Sequence, residues 1–112
     1  MNRKVIEMAL MTADSDSALS SFISDGVVLV DYGAPWCPPC KTLLSVLEEL
    51  DQEMAGEVSF VKVDCDELPA AASAAGVMSM PTVIVYKNGV PMDKLVGLRS
   101  KEQYKVILNR YL

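Results

Sequence analysis

Residues 27 to 32, Val27-Val28-Leu29-Val30-Asp31-Tyr32, form a near-continuous β-branched and aromatic run broken only by Asp31. Such a run fits a central strand covered on both faces, because a strand with one wet face alternates apolar and polar positions. Beyond Pro39, Leu43, Leu47, Leu50 and Met54 recur at helical spacing, one face of a helix that is expected to start at the cysteine pair and end at Gly56. Val58 to Val63 reads as a second buried strand. A strand, helix, strand unit of this length implies a right-handed parallel crossover.

The remaining elements fall around that unit. Val5 to Met11 reads as a first strand, and Leu19, Phe22 and Ile23 make a weaker helical stripe bounded by Asp16 or Ser17 and by Gly26. A short Ala-rich helix from Pro69 to Ala75 stops at Gly76. Thr82 to Tyr86 and Val90 to Val96 are joined by Asn88-Gly89, a dipeptide suited to a two-residue type I′ turn, which predicts an antiparallel hairpin. Pro91 cannot donate to a ladder and places the second arm at the sheet edge. Ser100 with Gln103 forms a capping box ahead of Tyr104, Ile107, Leu108 and Tyr111. The order β, α, β, α, β, α, β, β, α predicts an α/β fold, a mixed central sheet flanked by helices on both faces.

A chain of 112 residues without repeat or low-complexity linker is expected to be a single domain, residues 1–112. Its net charge of -5, with no basic run, argues against nucleic acid. No apolar run approaches the roughly 18 to 20 residues that span a bilayer, so no membrane association is expected. Met1-Asn2-Arg3-Lys4 followed by Val5 to Met11 superficially resembles a secretory leader, but Glu7 interrupts it and it is shorter than most apolar leader segments. A cytoplasmic location follows as an expectation.

The absence of histidine removes histidine bases, ligands and pH switches together. Chemistry must run on Cys, Asp, Glu, Lys or backbone. Three cysteines, Cys37 and Cys40 as Cys-Pro-Pro-Cys and Cys65 alone, are too few for a disulfide scaffold. A zinc site needs four ligands and only Cys65 could join the pair. A working redox pair is the better reading. Cys65 reads as a small, partly buried filler, and the seven scattered methionines as core fillers.

Trp36-Cys37-Pro38-Pro39-Cys40 lies where a buried strand hands over to a long helix, the place where open α/β sheets bind ligands. Cys37 at the helix N-terminus would gain from unpaired N–H groups and the helix dipole, which lower a thiol pKa and make it the attacking thiolate. Cys40, one turn inside and facing the core, would be the resolving thiol. The two-residue spacing lets the sulfurs close a small ring without backbone movement.

Val30-Asp31-Tyr32-Gly33-Ala34-Pro35-Trp36-Cys37-Pro38-Pro39-Cys40-Lys41, then Met78-Ser79-Met80-Pro81-Thr82, then Val96-Gly97, resembles the thioredoxin family across nearly the whole chain. The resemblance implies the thioredoxin fold, with Pro81 a cis-proline facing the cysteines and Met80 offering backbone hydrogen bonds to an extended substrate. It also implies that Trp36 flanks the nucleophile and that Val96 and Gly97 line the same groove. Asp31 matches the family's buried aspartate, thought to help deprotonate the resolving cysteine, and Lys62 matches the lysine beside it. Burial raises the pKa of such a carboxyl and Lys62 opposes the rise, so the sequence alone names no winner.

Two departures from the family pattern stand out. Gly33 occupies a position where the family commonly carries Trp, which removes a packing partner beneath the active-site loop and predicts a looser loop. Pro-Pro replaces the commonest intervening pair, Gly-Pro, and also resembles tryparedoxins and nucleoredoxins. Pro38 stiffens the loop, which favours ring closure, and removes an N–H, which disfavours the thiolate.

The expected function is that of a thiol:disulfide oxidoreductase that reduces protein disulfides through Cys37 and Cys40. The resemblance implies an NADPH-dependent thioredoxin reductase as electron donor, and no cofactor bound to this chain beyond its own redox-active disulfide. A monomer is the default for such a carrier. The alternatives are a redox-independent peptide-binding or subunit module on the same fold, and a disulfide oxidase or isomerase.

Overall fold

A computed structural model describes residues 10–112, in which five strands and four helices follow one another in the expected order. They are β1 (Met11–Thr12), α1 (Asp16–Ile23), β2 (Val27–Gly33), α2 (Pro38–Glu53), β3 (Val58–Asp64), α3 (Pro69–Ala74), β4 (Thr82–Lys87), β5 (Val90–Val96) and α4 (Lys101–Asn109). The strand expected over Val5 to Met11 lies mostly outside the described residues; β1 begins at its last position.

The sheet order is β1-β3-β2-β4-β5. β2 lies at its centre, parallel to β3 and antiparallel to β4, and every one of its residues is buried. That placement explains why its sequence does not alternate: both faces are covered. Val27 and Leu29 join Phe60, Val83 and Val85 beneath Leu43, Leu47 and Leu50 of α2 and Tyr104 and Leu108 of α4. Val28, Val30 and Tyr32 face the other way, in a cluster with Leu19 of α1 and Ala71 of α3. Helices therefore cover both faces.

The hairpin turn has φ of 51° at Asn88 and 84° at Gly89, the pair of left-handed conformations that a type I′ turn requires. Asn88 also ties this turn to the start of β2, accepting from Gly26 N through Oδ1 and donating through its own N to Gly26 O, both at 2.9 Å. β5 is an edge strand, and the irregularity in its pairing falls where Tyr86 meets Pro91, the residue without an N–H.

Several boundaries differ from the sequence reading. The N-cap of α1 is Ser15, whose Oγ accepts from Ala18 N at 3.1 Å, in place of Asp16 or Ser17. α2 ends at Glu53 with Met54 as its cap, and Gly56 falls in the turn beyond. Tyr111 lies past the end of α4 yet still packs on the core, and its hydroxyl donates to Asp93 of β5. The capping box of Ser100 and Gln103 is present with both of its hydrogen bonds. None of the described helices is long and apolar enough to cross a membrane.

Candidate active site

The cysteine motif sits at the junction of β2 and α2. Cys37 is the N-cap of α2, in extended backbone, and Pro38 and Pro39 fill the first two helical positions. Proline suits the first of these because the N–H it lacks would have no partner within the helix. Here the second position is proline too. The first backbone N–H of the helix therefore belongs to Cys40, and it donates to Cys37 Sγ at 3.3 Å. Lys41 N donates to Cys37 O at 3.2 Å and begins the regular ladder.

Cys37 and Cys40 are joined as a disulfide, with their Cα atoms 5.2 Å apart. Each residue is 4% exposed, so burial does not distinguish them. Their neighbours do. Cys37 Sγ lies 3.8 Å from the carbonyl oxygen of Met80, a contact rather than a hydrogen bond because a disulfide sulfur carries no proton. The Met80-Pro81 peptide is cis, as the family resemblance implies. Thr82 Oγ1 holds the preceding loop by donating to Ser79 O at 2.7 Å, and Gly97 N donates to Pro81 O at 2.8 Å. These bonds bring Met80, Pro81 and the Val96-Gly97 corner to one side of Cys37. Trp36, Met78 and Val96 are exposed there, at 62%, 96% and 50%, and form an apolar rim. Trp36 is tethered, its Nε1 donating to Asp66 Oδ2 at 2.7 Å.

Cys40 faces the sheet, and strand parity explains its surroundings. Asp31 and Gly33 follow Val27 and Leu29 at intervals of two, so they share the face beneath α2. Lys62 and Asp64 follow Val58 and Phe60 in the same way, and the register pairs Asp31 with Lys62 and Gly33 with Asp64. The apolar face of the sheet thus turns polar where it passes under the first turn of α2. A Cβ on Gly33 would stand 3.0 Å from Cys40 Sγ and 3.5 Å from Asp31 Oδ1. Glycine is what permits this close approach, with no unusual backbone angle involved.

Asp31 is 3% exposed and its Oδ1 has no hydrogen-bond partner. Burial pushes its pKa up from 3.8 to about 7, against a smaller downward pull from Lys62. The opposing effects left open by the sequence are thereby resolved in favour of desolvation. Cys65, the lone cysteine, is half-buried after β3, and burial followed by Asp64, Asp31 and Asp66 pushes its thiol up to about 11, which makes it a poor nucleophile. A cavity lies beside Cys40, with Gly33 in its wall. The loop above it is nonetheless held by Cys65 N donating to Gly33 O at 2.9 Å and by the Trp36 tether.

Sequence reasoning did not reach Asp66, Asp64, Glu67 and Thr12, which border this site or tether it. Asp64 was within reach, since it falls two positions beyond Lys62 on a strand; Asp66 carries no local signal, being 30 positions from Trp36. Among the described residues no group of three or more potential metal ligands occurs.

A disulfide closed across the first turn of a helix is the arrangement of a dithiol–disulfide exchange protein, and the comparisons with known proteins agree. The family model described as thioredoxin matches residues 8–110. A thioredoxin of Bacillus subtilis strain 168 is 46% identical over 105 residues, which is 94% of this chain and all of that protein. A thioredoxin of Staphylococcus epidermidis is 46% identical over 98 residues, covering 88% of this chain and 94% of its own. Among solved structures, a point mutant of thioredoxin from Halobacterium salinarum superposes with a TM-score of 0.86 at 30% identity, covering 94% of this chain and 92% of that one. Plasmodium falciparum thioredoxin gives 0.84 at 34% identity over 92% of this chain and 100% of its own. The chain belongs to the thioredoxin family, has the thioredoxin fold, and is a thiol–disulfide oxidoreductase of the protein-disulfide reductase class.

Proposed function

We propose that this single domain reduces disulfides in protein substrates by dithiol exchange, with Cys37 as nucleophile and Cys40 as resolver. The observation that carries the assignment is the hydrogen bond from Cys40 N to Cys37 Sγ at the N-cap of α2. A thiolate in that position keeps the same donor and the positive end of the helix dipole. Cys37 attacks one substrate sulfur, forms a mixed disulfide and releases the other substrate sulfur as thiolate. Cys40 then attacks Cys37 Sγ, forms the intramolecular disulfide and expels the second substrate thiolate. The substrate gains two electrons and this chain loses two.

Cys40 must lose its proton in the second half. Asp31 is the acceptor we assign, because its carboxyl and Cys40 Sγ border the same point beside Gly33 and a group with pKa about 7 exchanges protons at neutral pH. Lys62 serves to hold the carboxylate once it forms. Substrate lies in extended form against Met80 and Pro81, between Trp36 and the Val96-Gly97 corner, with the apolar rim supplying contact area. The electron donor is an NADPH-dependent thioredoxin reductase, the protein works as a cytoplasmic monomer, and its own disulfide is the only redox group it needs.

Insulin-disulfide reduction tests the assignment. Cys37→Ser should lose turnover by on the order of 10³-fold or more, as removal of a covalent nucleophile does. Full activity in that variant would overturn the mechanism, and retention of every partner by a Cys37→Ser, Cys40→Ser double variant would favour a binding module instead.

A further inference from the structure

A pocket of about 440 Å³ opens beside Cys40, bordered by Gly33, Ala34, Leu44 and Asp31. It does not belong to the groove at Cys37: Met80, Pro81, Trp36 and Val96 are absent from its walls. The size is in the range of sites for small molecules. Cys40 and Gly33 are both in its wall, and residue 33 has no side chain where a Cβ would stand 3.0 Å from Cys40 Sγ. Asp31 Oδ1, buried and without a partner, borders the same point. Lys41 and Lys62 line the pocket together with Asp64 and Glu67, so it offers both signs of charge.

We propose that this pocket is a second entrance to the disulfide, through which a low-molecular-weight aminothiol attacks Cys40 Sγ rather than Cys37 Sγ. The thiolate RS⁻ forms a bond to Cys40 Sγ, the Cys37–Cys40 bond breaks, and Cys37 leaves as a thiolate. A second thiolate then attacks the outer sulfur of the Cys40 mixed disulfide, producing RSSR and the Cys40 thiolate, which takes up a proton. Two small thiols are oxidised and one protein disulfide is reduced.

Leaving-group chemistry favours this direction, since exchange is faster when the departing thiol is the more acidic one. Attack at Cys40 expels Cys37, which keeps its helix N-terminus and the Cys40 N–H donor. Attack at Cys37 expels Cys40 into a buried site beside a carboxyl. An aminothiol has the matching groups: its ammonium can pair with Asp64 or Glu67, and its carboxylate can pair with Lys41 or Lys62. The proposal rests on Cys37 being the better leaving thiolate, which the reading above also assumes.

The test uses the oxidised chain with Cys65→Ser, pulsed with L-cysteine, quenched with acid, alkylated and mapped by tandem mass spectrometry. The expected product carries cysteine on Cys40 and the alkyl group on Cys37. Gly33→Trp should slow adduct formation by about tenfold or more and move the residual adduct to Cys37. Leu44→Trp, filling the pocket from α2, does the same if Gly33→Trp fails to fold. An adduct on Cys37 in the parent, or an unchanged rate and site in the folded pocket-filled variant, would overturn the proposal. Insulin reduction by Cys37→Ser is scored separately: activity there sinks the parent mechanism, whereas misplaced adducts with an inactive Cys37→Ser sink the second entrance alone.

Discussion

The two sulfurs of one four-residue motif look out on different chemistry. On the Cys37 side lie a carbonyl, a cis-proline and an exposed apolar rim; on the Cys40 side lie a buried carboxyl, a lysine and a cavity. Equal burial of the two residues shows that exposure does not assign the roles. The division comes from the helix terminus at one sulfur and from the polar end of a sheet face at the other. On the mechanism proposed above, its neighbours make a motif of two identical side chains directional.

The largest expected effect comes from abolishing one side altogether. Cys40→Ser should still attack a disulfide substrate but stall as a mixed disulfide on Cys37, so that insulin turnover falls by on the order of 10³-fold while a covalent adduct accumulates in non-reducing gels. If Cys40→Ser turned over freely, the contrast between nucleophile and resolver would break.

Asp31 sharpens the contrast next. Its folded pKa is about 7 against 3.8 for the free group, so between those pH values the folded chain holds a proton that the unfolded chain has released. Stability should therefore fall as pH rises from about 4 to about 7 and level off above, by on the order of 4 kcal/mol from this group. Asp31→Asn should remove that slope and be the more stable protein at pH 8, as urea unfolding at both ends of the range would report. The same variant should slow the resolving step at neutral pH by about tenfold or more. An unchanged slope would mean that the carboxyl is not the desolvated group described here.

Smaller effects concern the Cys37 side. Pro39→Ala restores an N–H at the second helical position, from which an N-cap side chain can accept. A second donor should lower the apparent pKa of Cys37 by about one unit, read from the thiolate absorbance of the reduced protein. Asp66→Asn weakens the exposed Trp36 tether, and substrate KM should rise by only about two- to threefold, since such contacts contribute little.

The sequence carried most of this architecture. Runs such as Val27 to Tyr32, the helical spacing from Leu43 to Met54, Asn88-Gly89 and the Ser100 capping box are local signals, and local signals set element type. Boundaries were less legible where neighbouring acceptors compete, as at Ser15, Asp16 and Ser17, because the winner depends on which oxygen meets the N–H of Ala18. The site was legible at Cys37, Cys40 and Asp31 through the motif. The cavity was not, since it needs the register of β2 against β3 and the placement of α2 above Gly33, both tertiary facts. Nor could the sequence weigh burial of Asp31 against Lys62, a balance that depends on distance and solvent.

The central claim is that environment makes Cys37 and Cys40 unequal, and the most direct test is alkylation of the reduced chain across a pH series, with each cysteine followed by mass. Cys37 should titrate well below the ordinary thiol value of about 8.5, while Cys40 stays unreactive until well above it. Superimposable profiles for the two cysteines near that value would contradict the claim.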